Sequence, residues 1–534
     1  MENLLSLLKQ KLLENPEKEA IIEKNRTITY SSLNALSNSY FKKLEAADVQ
    51  PGEVIGIELD RSIEAIAAMI GILKIGAAYT VINKDYPESR KQLMVDTLNI
   101  RMVIDENDLP DDTDGSVWLS KHERKEESLC YVIFTSGTTS EPKAVGIPDR
   151  AVIRLIHEKR LGLSTEKTIS HISPLEFDAS ILEIWGGLLH GMTISLLTKT
   201  EILSIYSVEE RINQGIDIMW VTCSLFNFWM DKKPEMFKSL SHVIVGGEQL
   251  SLSHVKEALN YTKVINGYGP TENTVFTTLD VMKNDVAEIC IGTGIYGTET
   301  YIVDEQGQES SEGELYVGGS GLALGYLNNE EKTAEVFVEW QGKTIYKTGD
   351  LVKRAEDGRL IYIGRKDTQV KVNGYRIDLQ EIEANVKSLG IKNCHAFVKE
   401  RKIYLAVTTQ HPRLLEELRE RLPIYMLPAK INWVPELPLT ANGKTDTVKL
   451  YEQYFLSTPE KVIRILEKYC TGKKIDLTTS IFELEVDSVI IWELVREIND
   501  QFNVNLSFFD VIENAVVSEL VNLLGGEYLA AYNL

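Results

Sequence analysis

Residues Tyr131–Val145 read YVIFTSGTTSEPKAV. An apolar run delivers the chain into Thr135, Ser136, Gly137, Thr138, Thr139 and Ser140, with Pro142 and Lys143 behind them. Small residues let backbone N–H groups approach an anionic oxygen, hydroxyls add donors, and Lys143 adds a point charge, so the chemistry offered is phosphate binding. The Gly-Lys-[Ser/Thr] of a Walker A loop is missing. Taken alone, such a loop is better read as a plain connection between two strands. Ser488, preceded by Asp487 and opening an apolar helical pattern, offers a hydroxyl for modification or a simple helix cap. Asp178, just ahead of the run from Ser180 to Leu189, offers a carboxylate or another cap.

The surrounding elements must position these groups. From about residue 50 to 275, apolar runs (Val54–Leu59, Arg101–Ile104, Tyr131–Phe134, Ile218–Val221, Val243–Val245) read as buried strands. Amphipathic stretches at Arg61–Ile75, Arg150–Lys159 and Ser180–Leu189 read as helices between them. That alternation predicts a mainly parallel sheet covered on both faces. After residue 285 short strands with Gly-rich turns follow (Glu299–Val303, Glu314–Val317, Lys343–Thr348, Leu360–Ile363), an antiparallel or barrel-like unit. From Asp367 to about residue 446, a helix at Leu379–Leu389 and strands at Cys394–Val398 and Lys402–Val407 read as a small α+β domain. The last segment is helical, opened by Ser457, Pro459 and Glu460 in the spacing of a capping box.

Composition bounds the function. The 534 residues allow about three or four domains. The net charge of −22 repels phosphate backbones, so nucleic acid is not an expected partner. At 43% hydrophobic and 25% charged residues, a disordered chain is excluded. No stretch approaches the roughly 20 apolar residues that span a bilayer, and no signal peptide is read at Met1–Leu13. Five scattered cysteines without Cys-x-x-Cys argue against a disulfide framework or zinc site and fit a reducing cytoplasm.

Thr-Ser-Gly-Thr-Thr followed by Pro142-Lys143 resembles the phosphate loop of the adenylate-forming superfamily, which includes acyl-CoA synthetases, luciferases and the adenylation domains of nonribosomal peptide synthetases. Six further stretches resemble family motifs in order. They are Phe177-Asp178-Ala179-Ser180; Gly246-Gly247-Glu248; Asn266-Gly267-Tyr268-Gly269-Pro270-Thr271-Glu272; Tyr346-Lys347-Thr348-Gly349-Asp350; Gly364-Arg365-Lys366-Asp367 with Gln369, Lys371, Gly374 and Arg376; and Leu437–Lys444, LPLTANGK. Ser140 and Ala144 stand where the family has glycine. Ile481–Val489 resembles the phosphopantetheine site of a carrier protein, with Glu485 and Val486 in place of Gly-Gly.

The resemblance implies roles. Thr135, Ser136, Gly137, Thr138, Thr139, Lys143, Gly247, Asn266, Tyr268, Gly269, Thr271, Asp350, Tyr362 and Arg365 would bind ATP and AMP. Tyr268 would stack on adenine, Asn266 would bond its edge, and Asp350 and Arg365 would hold the ribose. Glu272 would bind Mg²⁺, and Lys444 would bridge carboxylate and phosphate; these two are the catalytic candidates. Asp367 would be the hinge on which the small domain turns between two half-reactions. Asp178 would pair with the α-ammonium of an amino acid, which a fatty acid lacks. Ala179, Leu182, Trp220, Ile244, Gly246, Gly267, Val275 and Phe276 would surround the side chain, with Gly246 and Gly267 leaving room for a branched alkyl group. That set resembles those of valine-activating members.

The expectation is therefore an α/β protein. A large N-terminal part (1–366) of parallel sheets with helices plus a β-barrel-like part precedes a small α+β subdomain (367–450), a linker (451–457) and an all-α four-helix carrier domain (458–534). It would convert an amino acid, expected to be L-valine, and ATP into aminoacyl-AMP, then load it on phosphopantetheine carried by Ser488. ATP, Mg²⁺ and 4'-phosphopantetheine are the expected cofactors. A phosphopantetheinyl transferase and a downstream condensation, reductase, thioesterase or tailoring protein are the expected partners. Two readings stay open beside it: an acyl-CoA synthetase-like ligase and a non-catalytic nucleotide-binding scaffold.

Overall fold

A computed structural model describes residues 3–108, 117–136, 142–367, 369–440, 444–470, 474–484, 486, 488–502 and 504–524, the side chain of Ser488 excepted. The chain forms two compact units, one of residues 1–389, 398–403 and 413–427, the other of 390–397, 404–412 and 428–534.

Among the described residues, the first unit holds sheets of nine, six and five strands. The centre of the nine-stranded sheet is parallel. Ile218–Thr222 lies between Thr168–His171 and His242–Gly246, and Lys263–Tyr268 follows His242–Gly246. Its edges turn antiparallel at Thr278–Val281 and at Arg26–Thr29. In the six-stranded sheet, Leu129–Thr135, Ala78–Val81, Val54–Ile57 and Val103–Ile104 run parallel. Lys143–Pro148 folds back antiparallel on Leu129–Thr135. The five-stranded sheet is antiparallel, and its long strand Lys343–Arg354 pairs with Glu312–Gly319, Phe337–Trp340 and Leu360–Arg365.

The apolar helix Ile63–Lys74 is buried along its length, and Tyr30–Ala46 packs across it. Gly71 allows that crossing, because a Cβ there would lie 2.7 Å from the Tyr40 side chain. No helix among the described residues is long and apolar enough to cross a membrane.

The hairpin of Gln369–Val372 and Tyr375–Asp378 and the helix Leu379–Ser388 group with the first unit, although the sequence pattern joins them to the small domain. In the second unit, Lys430–Trp433 runs parallel to the strand ending at Val407. Phe397, Tyr404, Tyr451 and Phe455 pack together, and helix Thr447–Tyr454 takes in the first residues of the segment read as a linker. The carrier segment contains helices Thr458–Tyr469, Ser488–Phe502, Phe508–Glu513 and Val517–Leu523 around Val462, Leu466, Leu494, Ile498, Val511 and Leu520. Its first helix starts with the expected capping box of Ser457 and Glu460.

Candidate active site

The C-terminal ends of the parallel strands open into a cavity of about 170 Å³ in the first unit, the usual location for a ligand in such sheets. Asp178 and Ala179 enter it from the start of a helical stretch that runs to Leu189. Asp178 makes no helix-cap bond. Its carboxylate instead accepts from Thr271 Oγ1 at 2.8 Å. Burial pushes the Asp178 carboxyl upward in pKa, and the Thr271 bond opposes that only in part. Nearby Glu272 adds to the upward push, and the Lys371 ammonium adds to the downward pull.

Of the residues expected around a substrate side chain, Ala179, Trp220, Gly267, Val275 and Phe276 line the cavity with Asp178. Leu182 and Ile244 do not; both are fully buried in the core behind it. The two glycines serve packing rather than substrate room. A Cβ on Gly246 would lie 2.3 Å from the Gly267 carbonyl oxygen on the next strand. A Cβ on Gly267 would lie 2.3 Å from the Phe276 ring, which already fills that space.

The helical stretch widens into a π turn at Leu182–Gly186, a distortion often found beside functional sites. It carries Glu183, fully buried, whose carboxylate accepts from the backbone N of Ile172 (3.2 Å) and Ser173 (3.0 Å) and meets His171 Nδ1 at 2.7 Å. Glu183 thereby fixes the turn that brings Ser173 and Pro174 to the cavity wall.

A second cavity, about 560 Å³, adjoins these strand ends and is lined by Asn266, Tyr268, Tyr362, Arg365 and Lys371. Asp350 accepts from Arg365 Nη1 at 2.7 Å and from the Tyr268 hydroxyl. The Asp350–Arg365 pair is buried, not a surface ion pair, with side-chain exposures of 5% and 10%. Arg365 also grips Asp367 through a two-pronged pair, both bonds 2.6 Å. Asn266 spends its amide N–H on the Cys290 carbonyl at 2.7 Å. Gly247 borders both cavities, and Gly269 and Thr271 line the smaller one.

Glu272 is 1% exposed. Its two oxygens accept from the Tyr326 hydroxyl (2.8 Å) and Arg376 Nη1 (2.9 Å). Burial alone would raise its pKa, but Arg376, the Tyr326 hydroxyl and Lys143 together hold it below the ordinary value. Lys143 lies over the Tyr326 ring, 5.1 Å from its centroid, and burial lowers its pKa against the pull of Glu272. Among the described residues, no three His, Cys, Asp or Glu side chains gather to hold a metal. A single hard oxygen is enough for Mg²⁺ carried in with phosphates, so Glu272 fits that role once Arg376 lets go of one oxygen.

The hairpin supplies groups to which the sequence had assigned no site role. Lys371, Tyr375 and Arg376 all line the smaller cavity. Asn373 (φ 53°) and Gly374 (φ 85°) form its tip, and Asn-Gly is the legible signal for such a two-residue turn. Gly374 N donates to Glu248 Oε1 at 2.6 Å, and a Cβ there would lie 2.5 Å from Thr222. At the other end Ser136 Oγ donates to the Arg376 carbonyl at 2.8 Å and accepts from Asp378 N at 3.1 Å. Tyr375 stacks on Tyr425 at 4.2 Å and meets Phe177 edge-on at 4.8 Å, closing one side of the cavity. Thr135 lines it too, while Gly137, Thr138, Thr139 and Ser140 lie outside the described residues.

Two candidates belong to the second unit. Lys444 is exposed on a turn where Thr440 N donates to the Lys444 carbonyl at 2.7 Å; Ala441, Asn442 and Gly443 lie outside the described residues. Ser488 is the first residue of helix Ser488–Phe502, and Glu485 and Asp487 lie outside the described residues.

Residues 8–327 match the family model "AMP-binding enzyme" and residues 460–524 match "Phosphopantetheine attachment site". The chain is 34% identical to tyrocidine synthase 3 of Brevibacillus parabrevis, over 96% of this chain and 9% of that protein. It is 32% identical to gramicidin S synthase 2 of Aneurinibacillus migulanus, over 99% of this chain and 13% of that protein. The chain thus spans about a tenth of the length of these relatives. Among solved structures, it is similar to holo-PA1221, described as an NRPS protein containing adenylation and PCP domains, with TM-score 0.77, 29% identity and coverage of 98% and 96% of the two chains.

Proposed function

The chain belongs to the AMP-binding enzyme family and carries a phosphopantetheine attachment site behind that domain, and from this premise we propose that it is a nonribosomal peptide synthetase adenylation–carrier didomain that activates an aliphatic amino acid, L-valine first. The observation that carries the reading is Asp178: a carboxylate at the cavity wall, bonded to a neutral hydroxyl, beside Ala179, Trp220, Val275 and Phe276. An α-ammonium at that point relieves the cost of the buried anion. A fatty acid has no such group to offer.

In the first half-reaction the amino-acid carboxylate attacks the α-phosphorus of ATP and pyrophosphate leaves. Asp178 holds the ammonium. Trp220, Val275 and Phe276 bound the side chain, and none of these three offers a charge to pair with a charged side chain. Asp350 accepts from the ribose hydroxyls, and Arg365, already bonded to it, orients the acceptor. Tyr268 offers its ring to adenine. Glu272 supplies the oxygen for Mg²⁺, which would offset charge on the phosphates. Lys444 would complete the site by bridging the attacking carboxylate and the phosphate oxygens.

In the second half-reaction Ser488 would carry a phosphopantetheine arm, whose thiol would take the aminoacyl group from the adenylate as AMP leaves. The hairpin with Lys371 and Arg376 in the cavity, gripping Glu272, supports an arrangement suited to this later step, because the carboxylate proposed for Mg²⁺ is engaged by a guanidinium. Turning about Asp367 would exchange that hairpin for Lys444. A phosphopantetheinyl transferase must act on Ser488 first, and a further protein must take the product onward.

Amino-acid-dependent exchange of pyrophosphate into ATP, run over all proteinogenic amino acids, tests the reading. Intact mass after phosphopantetheinylation follows. Best exchange is expected with valine, then isoleucine and leucine, and a mass gain on the carrier. Best exchange with a charged, polar or aromatic amino acid would overturn the substrate. No exchange with any amino acid would overturn the activity.

A further inference from the structure

The cavity wall formed by Val275 and Phe276 is made of backbone that β-branched residues avoid. Thr274 has φ 54° and Val275 φ 64°, both in the left-handed region where a Cβ crowds the chain. Phe276 N donates to the Thr274 carbonyl at 2.8 Å. That bond spans only two residues and closes a γ-turn with Val275 at its apex, and with positive φ this is the rare, strained form. Left to themselves, two β-branched residues would leave this conformation, so the surrounding structure must hold it.

Arg154 is the group that holds it. It sits on helix Asp149–Ile156 and is 1% exposed. Its guanidinium donates to the carbonyls of Asn273 (2.8 Å), Thr274 (2.8 Å) and Phe276 (2.9 Å), and to Thr298 Oγ1 (2.5 Å). The four acceptors are neutral. An ion buried for stability alone is ordinarily paired with an opposite charge; this one is spent on three carbonyls of a single turn and one hydroxyl. The fold also clears space for it. A Cβ on Gly321 would lie 2.4 Å from Arg154 Cζ. The Gly321 carbonyl accepts from Thr274 Oγ1 at 2.9 Å. One helical turn earlier, Arg150 donates to the carbonyls of Ser320 (2.8 Å) and Leu322 (2.7 Å), clamping both sides of that glycine.

We propose that Arg154 is a specificity-determining positioning residue: by holding Asn273–Phe276 in the strained turn, it sets how far Val275 and Phe276 project into the cavity and so which side chains are activated. Arg154 does not itself line the cavity. The inference rests on the reading of that cavity as the amino-acid pocket.

The test measures pyrophosphate exchange and thermal melting for Arg154→Met, Arg154→Lys, Thr274→Asn and the double variant Arg154→Lys/Thr274→Asn, all in the full chain. For Arg154→Met the amino-acid KM is expected to rise about tenfold to a hundredfold, the scale of a misplaced wall. The ATP KM stays unchanged, and discrimination among valine, isoleucine, leucine and phenylalanine flattens. If Arg154→Met does not fold, Arg154→Lys is read for the same split. Asparagine tolerates the left-handed region, so Thr274→Asn is expected to raise the melting temperature of the parent and to restore selectivity in the Arg154→Lys background. Parallel rises in amino-acid and ATP KM, an unchanged selectivity profile, or no gain in melting temperature from Thr274→Asn would overturn the proposal. A parent chain without exchange for any amino acid would sink the activity reading instead, and the melting comparison would still decide whether Arg154 holds a strained turn.

Discussion

The two units keep their functional groups in opposite ways. In the first, almost every candidate side chain is already bonded to another: Asp178 to Thr271, Asp350 to Arg365 and Tyr268, Glu272 to Tyr326 and Arg376. In the second, Lys444 is exposed on a turn, and Ser488 opens a helix on which Val489 and Trp492 are exposed, at 67% and 61%. A buried network holds its geometry before any ligand arrives, which is what electrostatic stabilisation of a transition state needs. An exposed group must be brought to its work. Substitutions in the first unit should therefore shift binding and selectivity by degrees, whereas those in the second should remove a step.

The sharpest test of that contrast is Ser488→Ala. Adenylate formation should be unchanged while covalent loading is abolished, read by intact mass; an adduct on the variant would show that the attachment point is elsewhere. Lys444→Ala should slow amino-acid-dependent exchange by roughly 10²–10³, by analogy with loss of a donor aimed at a transition state. Thioester formation from supplied aminoacyl-AMP should fall much less, and equal loss in both half-reactions would end the idea that this lysine serves only one.

In the first unit, Asp178→Asn leaves an ammonium facing a neutral amide. An uncompensated buried charge costs about 3 kcal/mol, roughly a hundredfold in amino-acid KM, with kcat less affected. Acidity probes the same contact more gently. Burial raises the Asp178 pKa, so its neutral form grows in as pH falls, starting above the ordinary value of about 3.9. A neutral acid cannot pair with the ammonium. Amino-acid KM should therefore rise on acidification at a pH where exposed carboxylates are still charged, and Asp178→Asn should lack that rise. The smallest effect is expected for Trp220→Ala, which opens the cavity and should move preference toward larger side chains by about 1–3 kcal/mol. A uniform loss across all amino acids would place Trp220 in the core rather than in the specificity wall.

Much of this arrangement is legible in the sequence because it is local. Strand and helix periodicity marks the parallel runs from Val54 to Val245, and the capping box at Ser457 and Glu460 marks the start of the carrier segment. Asp178, Glu272, Asp350 and Arg365 lie in short stretches of recognisable residue order, and the structure gathers Asp178, Asp350 and Arg365 at the walls of adjoining cavities. Gly246 and Gly267 mislead, since a missing side chain reads as free space in one dimension. In three, the Gly267 carbonyl and the Phe276 ring already occupy it. Arg154 leaves no mark at all, standing in an ordinary amphipathic helix.

The set of chemical groups, their order and the elements that carry them are written in the chain itself, because those depend on neighbours within a few residues. Which groups share a partner is settled by the packed molecule alone. Arg376 meets Glu272 across 104 positions and Arg154 reaches Phe276 across 122. Gly374 docks on Glu248 only because two sheets and a hairpin end at one place. Hydrogen bonding and desolvation act over a few ångströms of space, and the chain's order does not encode which distant carbonyl will lie within that reach.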